Sequence, residues 1–284
     1  MSDTLNPPNI PALLRSDGLP QAFAALGAVL ARSPEPDRAG LRQTILDGLE
    51  ATPAATQAAL ATREGLRTFL QGSPVYLRVK ETRRDPEAPT IQERLSRLLI
   101  KALDPKPASE RGSLVIAVLP DLAEISLICE LFRMVEGNWA ADHAARPPEE
   151  TYFGASTAAL RDMLFARVQL AAKKGTLWTQ GSPTAILWFW WACGEEQRVY
   201  AFIKDAMGDA KALPALLDEI VYRVATPEEE YDVIPVRRWS KLIDFRALEQ
   251  SAVNLSMNGT ARDDRKKARR FLDAFGNGKS ELYR

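Results

Sequence analysis

Apolar residues return every three or four positions along almost the whole chain, and that spacing dictates helices. Leu41, Ile45, Leu46 and Leu49 mark one face. Ile91, Leu95, Leu98, Leu99, Ala102 and Leu103 mark a second, and Thr90 with Glu93 opens it as a capping box. Leu122, Ile125, Cys129, Phe132 and Val135 mark a third. Leu160, Met163, Leu164 and Val168 mark a fourth, closed by Lys173, Lys174 and Gly175, since cations and then glycine suit a helix C-terminus. Glu195–Met207, Lys211–Arg223 and Ala261–Phe275 read as further helices.

Between these faces lie polar, mostly proline-bearing stretches that read as loops: Thr82–Pro89, Asp104–Ser113, Asp142–Thr151 and Thr226–Asp232. Two stretches carry strand character. Leu114–Leu119 is rich in β-branched residues and reads as a strand or a buried helical turn; Val233–Ile243 alternates and reads as a short extended segment. The expected class is therefore all-α, an antiparallel helical bundle or short helical solenoid with at most one or two short strands. No fixed repeat period emerges. A change of composition near Pro105 divides residues 1–105 from residues 106–284, as two helical regions or as parts of one domain.

With 284 residues, 46% of them hydrophobic, the chain has enough apolar surface to bury a core without disulfides or metals. The two cysteines, Cys129 and Cys193, lie far apart in apolar runs and read as reduced and buried. The 37 basic and 37 acidic residues cancel, which argues against a protein that coats nucleic acid. The N-terminus lacks the pattern of a signal peptide. The longest near-apolar run, Ala185–Cys193, is about half the length of a membrane span. A cytoplasmic location with no membrane contact is the expectation.

No catalytic site emerges from the residue types. The string Gly278-Lys279-Ser280 has the form of the tail of a phosphate-binding loop, but Asp273 stands where that motif needs glycine, and a helix precedes it where a strand is required. His143 is the only histidine, in a polar loop, so paired-histidine chemistry and histidine metal clusters are excluded. Neighbouring carboxylates, such as Glu149–Glu150 and Glu228–Glu230, have no spacing that suits an acid–base couple. No metal and no cofactor is expected.

Two features stand out. The block Leu187-Trp188-Phe189-Trp190-Trp191 puts bulk on every side of a helix, which must then be surrounded by protein. Trp188 and Trp191 are the candidates within it for a partner groove, because tryptophan is enriched at binding hot spots. The second feature is local charge. Residues 237–284 hold 12 bases against 6 acids. Arg262, Arg265, Lys266, Arg269 and Arg270 crowd one helix, either as a solvated face or as a surface for nucleic acid or an acidic patch. Arg237, Arg238, Trp239 and Lys241 extend it, and bases interleaved with an aromatic suit such contacts.

The order of landmarks from Ser156 to Phe275 resembles the C-terminal helical region that follows the ATPase module in bacterial KAP-type and related P-loop NTPases. The landmarks are Leu160 to Ala172 and Gly175; the tryptophan helix ending at Gly194; Val199 and Phe202; Leu216 and Leu217; Ile243-Asp244-Phe245 and Leu248; and Ala268, Phe271, Leu272 and Ala274. Leu122–Trp139 resembles the helix preceding that region. The chain departs from the pattern at Trp191-Ala192-Cys193-Gly194, where a more polar turn is expected, and it carries no phosphate-binding loop. The resemblance implies the recognition end of such a machine, associated with bacterial anti-phage or stress NTPase systems.

The leading expectation is a non-enzymatic recognition or adaptor module that binds a partner protein, a separately encoded NTPase or nuclease. Trp188, Trp191, Arg237, Arg238, Trp239 and Lys241 are its candidate contacts. Two alternatives stay open. One is a nucleic-acid-binding subunit working through Arg262, Arg265, Lys266, Arg269 and Arg270; the other is an enzyme with an unrecognised site.

Overall fold

A computed structural model describes residues 10–79, 89–137, 147, 150–180, 182–224 and 245–275. Among these residues there are thirteen α-helices and no strand. The chain divides into two compact units, Met1–Arg167 with Gln180–Phe189, and Val168–Thr179 with Trp190–Arg284. Pro105 lies inside the first. Val233–Ile243 lies outside the described residues.

The first unit opens with α1 (Ile10–Arg32), α2 (Glu35–Glu50), α3 (Pro53–Leu60) and α4 (Arg63–Leu77). Phe23 of α1 stacks on Phe69 at 4.4 Å and on Tyr76 at 4.3 Å. The Tyr76 hydroxyl donates to the Phe23 carbonyl at 3.0 Å. Burial pushes that phenol well above its ordinary pKa. Ile45, Leu46, Leu49, Leu66 and Leu70 complete this core. Each large side chain so buried is worth about 1.5–3 kcal/mol of transfer free energy.

Next come α5 (Ile91–Leu103), α6 (Ala108–Val118) and α7 (Ser126–Glu136). The Thr90–Glu93 capping box forms in full at the start of α5. Arg94 ties α5 to α2 through Asp47 at 2.7 Å and Glu50 at 2.8 Å. Burial disfavours its charge, but the hydrogen bonds and charges of those two carboxylates outweigh that and raise its pKa. Leu114–Leu119 is the helical alternative: most of it completes α6, and Leu119 begins a 3-10 turn. The loop expected over Asp104–Ser113 shrinks to residues 104–107, because Pro107 sits at the N-cap of α6 and cannot continue a preceding helix. The helix expected from Leu122 starts only at Ser126. Leu122 is extended after the 3-10 turn, and the Glu124 carboxylate accepts from the Ser126 amide at 2.7 Å.

Three helix pairs share one construction. Arg38 of α2 donates to the Ser33 and Ala31 carbonyls at the end of α1, at 2.7 and 3.2 Å. Arg111 of α6 donates to Lys106 and Asp104 carbonyls at the end of α5, at 2.8 and 3.2 Å. In the second unit, Arg265 donates to the Gly259 and Thr260 carbonyls at 2.5 and 3.1 Å. There α13 (Arg262–Phe275) follows α12 (Phe245–Asn258). In every pair the arginine is the fourth residue of the second helix, directly after an acid: Asp37, Glu110 or Asp264. Helical side chains lean toward the N-terminus, so an arginine in the first turn reaches back onto carbonyls at the end of the previous helix and in the short linker after it. The acid before it favours the positive end of its own helix.

The 3-10 turn Gly154–Ser156 packs on α6 and leads into α8 (Thr157–Lys173). Gly175 (φ 67°) closes α8 as anticipated, with Gly175 N–H donating to Ala172 and Thr176 N–H to Ala171. The tryptophan helix α9 (Pro183–Ala192) ends the same way at Gly194 (φ 85°). The second unit holds α10 (Glu196–Gly208), α11 (Leu213–Val224), α12 and α13. Ala268, Phe271 and Phe275 of α13 are buried, and α13 packs on both α11 and α12. Trp178 stacks on Phe202 of α10 at 5.5 Å.

Two stability effects follow. Arg111 also donates to the Tyr152 carbonyl at 3.2 Å, and its guanidinium lies 4.4 Å over the Tyr152 ring. Arg111→Ala is expected to cost about 2–3 kcal/mol in urea unfolding. A Cβ on Gly112 would come within 2.4 Å of the Ser156 Cβ and 2.8 Å of the Phe153 carbonyl. Gly112→Ala is therefore expected to destabilise by about 1–3 kcal/mol, despite the better helix propensity of alanine.

Candidate partner-binding surfaces

The tryptophan helix is enclosed on most sides, as its composition requires. Ala185, Ile186, Leu187 and Phe189 are buried within the first unit. Phe189 meets the Phe132 ring edge-on at 5.4 Å. Trp188 is different: it stays half-buried. The Arg133 guanidinium lies 4.3 Å from the centre of its ring. Arg133 is held in turn by Glu130, one turn back on α7, through a two-armed ion pair whose Nε–Oε2 arm measures 2.9 Å. The Glu130 carboxylate is only 3% exposed, so this pair is largely withdrawn from water and its geometry is fixed. A cation over an indole face contributes about 0.5–2 kcal/mol and sets the ring plane. The result is a part-exposed aromatic surface that cannot swing freely.

Trp191 belongs to the second unit. It is half-buried as well, with the Tyr200 ring edge-on at 5.4 Å. Tyr200 is anchored by its hydroxyl, which donates to Glu196 at 2.8 Å. Arg237, Arg238, Trp239 and Lys241, and likewise His143 and Gly278–Ser280, lie outside the described residues.

The five candidate bases of α13 separate into two groups. Arg265 is committed to the Gly259 and Thr260 carbonyls, and Arg270 faces Asp218 of α11 at 3.8 Å. Arg262, Lys266 and Arg269 are exposed and have no ion-pair partner among the described residues. They sit at i, i+4 and i+7, which places them on one ridge of the helix. Lys267, not among the candidates, pairs with Asp263 at 2.9 Å. Within α13 Arg265 stands apart as the fourth helical residue, directly after Asp264; Glu93–Arg94 has the same place in α5, but there the arginine reaches Asp47 and Glu50. The Arg133–Glu130 support of Trp188 went unseen, since it joins residues more than fifty positions apart.

Among the described residues, no group of three or more His, Cys, Asp or Glu side chains is placed to hold a metal, and no helix is long and apolar enough to cross a membrane.

The two groups of bases differ in a measurable way. Arg265→Ala should cost about 1–2 kcal/mol of stability, because carbonyls at the end of α12 lose a charged donor. Arg262→Ala, Lys266→Ala and Arg269→Ala should each stay within about 0.5 kcal/mol of the parent in the same denaturation experiment. No protein-family model, curated protein or solved structure matches the chain.

Proposed function

We propose that the protein is a non-enzymatic helical recognition module that docks a partner protein, with Trp188 as its aromatic anchor. The observation that carries this reading is the Glu130–Arg133–Trp188 stack. Tryptophan and arginine dominate binding hot spots. A ring whose plane is fixed before the partner arrives loses little conformational freedom on binding, and that is where affinity is gained. On the resemblance to the helical region of KAP-type NTPases, the partner class is a separately encoded P-loop NTPase or a nuclease, in a bacterial defence-type system. A cytoplasmic location goes with that assignment.

The test is purification of the tagged chain from its native host at low and high salt. A stoichiometric protein that stays bound at high salt, and is lost on Trp188→Ala while thermal unfolding of that variant remains cooperative, is the expected result. Nucleic acid that leaves as salt rises, with no protein retained, would assign the chain to nucleic-acid binding instead. Arg133→Met is the companion variant. It removes the cation over the ring, strands the buried Glu130, and should weaken partner binding while costing about 3–5 kcal/mol of stability.

A further inference from the structure

The exposed ridge of α13 has a sign pattern as well as a position. Arg262, Lys266 and Arg269 are followed, four residues on, by Asp273, and all four are exposed. They fall at i, i+4, i+7 and i+11, so one line along the helix, about 16 Å long at 1.5 Å per residue, reads plus, plus, plus, minus. The inward side of the same helix is fully used: Ala268, Phe271 and Phe275 are buried, Arg265 holds the α12 terminus and Arg270 faces Asp218. The ridge is therefore presented outward by a helix that is fixed on its other side.

Arg262 stands at the positive end of the helix, where a cation is unfavourable, and Lys266 and Arg269 continue its charge along the ridge without an ion-pair partner among the described residues. Asp263 and Asp264 share that first turn and offset part of the cost. An anionic partner along the ridge would be attracted by all three cations. A phosphate backbone fits the first three positions and is repelled at the fourth, where Asp273 projects from the same ridge. A helix carrying carboxylates opposite the three cations and a cation opposite Asp273 satisfies all four. Met257 adds to the distinction. It is 74% exposed on the last turn of α12, which a three-residue turn joins to Arg262. A soft apolar side chain at that end of the hairpin suits protein contact and offers a phosphate chain nothing.

We infer that the outer ridge of α13 docks an acidic helix of a partner protein, in a register set by the Arg262, Lys266, Arg269 and Asp273 charge pattern. This rests on the recognition reading only in that the occupant is a protein; it does not require Trp188. Charge patterns of mixed sign along a helix select register and partner by penalising every misaligned pairing.

The probe is a designed helical peptide with Glu at i, i+4 and i+7 and Lys at i+11, measured against the full chain by fluorescence anisotropy. The controls are a peptide of the same composition with these four positions permuted, and a single-stranded and a double-stranded oligonucleotide. The matched peptide should bind at least about tenfold more tightly than the permuted one, the sum of several surface pairings turned from attractive to repulsive. The variant R262E/K266E/R269E/D273K should lose the matched peptide and gain the charge-inverted peptide. All four side chains are exposed, so its unfolding should stay close to the parent's. Equal binding of matched and permuted peptides overturns the inference. So does oligonucleotide binding that is tighter than peptide binding and is strengthened by Asp273→Lys alone, which would assign the ridge to nucleic acid. Trp188→Ala should bind the matched peptide unchanged. If that variant loses the natural partner while the ridge variant keeps it, the recognition reading stands and the ridge assignment falls.

Discussion

Around their apolar core, several helices of this protein are joined by arginines that donate to carbonyls at, or just after, the end of another helix. Each α-helix leaves four carbonyls without an internal partner, and a chain of short helices multiplies that debt. Arg38, Arg111 and Arg265 meet it between consecutive helices. Arg42 does so over a longer range: buried in α2, it donates to the Tyr76 carbonyl at 2.9 Å and to Val79, at the end of α4. Arg167 reaches Leu119 and Leu122 beyond the end of α6. A guanidinium suits this task because its planar fork serves two carbonyls at once and brings positive charge to the negative end of a helix dipole. Lysine has the charge without the fork.

That division of labour sets which basic residues are committed to the fold. The arginines at the fourth helical position are structural, and so is the one facing Asp218. What remains on α13 is the ridge, exposed because the helix buries its opposite side. The same logic runs through the tryptophan helix. Most of its bulk is consumed by the core, while Trp188 beside Arg133 and Trp191 beside Tyr200 each stay half-buried.

Helix identity was legible because apolar period and cap chemistry agree. The Thr90–Glu93 box and the Lys173-Lys174-Gly175 ending both form where the residues place them, and the surrounded tryptophan helix follows from bulk on every side. Leu114–Leu119 stayed ambiguous because a six-residue β-branched run fits a strand and a helix end alike; packing of α6 on α4 and on the Gly154–Ser156 turn decides it. The long loop after Asp104 was misjudged because Pro, Ser and Glu read as loop residues, although the same three types start helices. The arginine construction was invisible to a search for fixed periods, since the pairs recur at irregular intervals. Only the acid–arginine dipeptide and its place in the first turn are shared. The cation over the Trp188 ring was not legible, because Arg133 comes from α7.

The three arginine-closed helix junctions also bear on how the chain reaches its native state. Each closing contact spans five to seven residues of sequence. Closing so short a loop takes on the order of 10–100 ns and loses little chain entropy. Each arginine closure is therefore a local contact of low contact order that can form before the helices find their distant neighbours, and topologies rich in such contacts fold quickly.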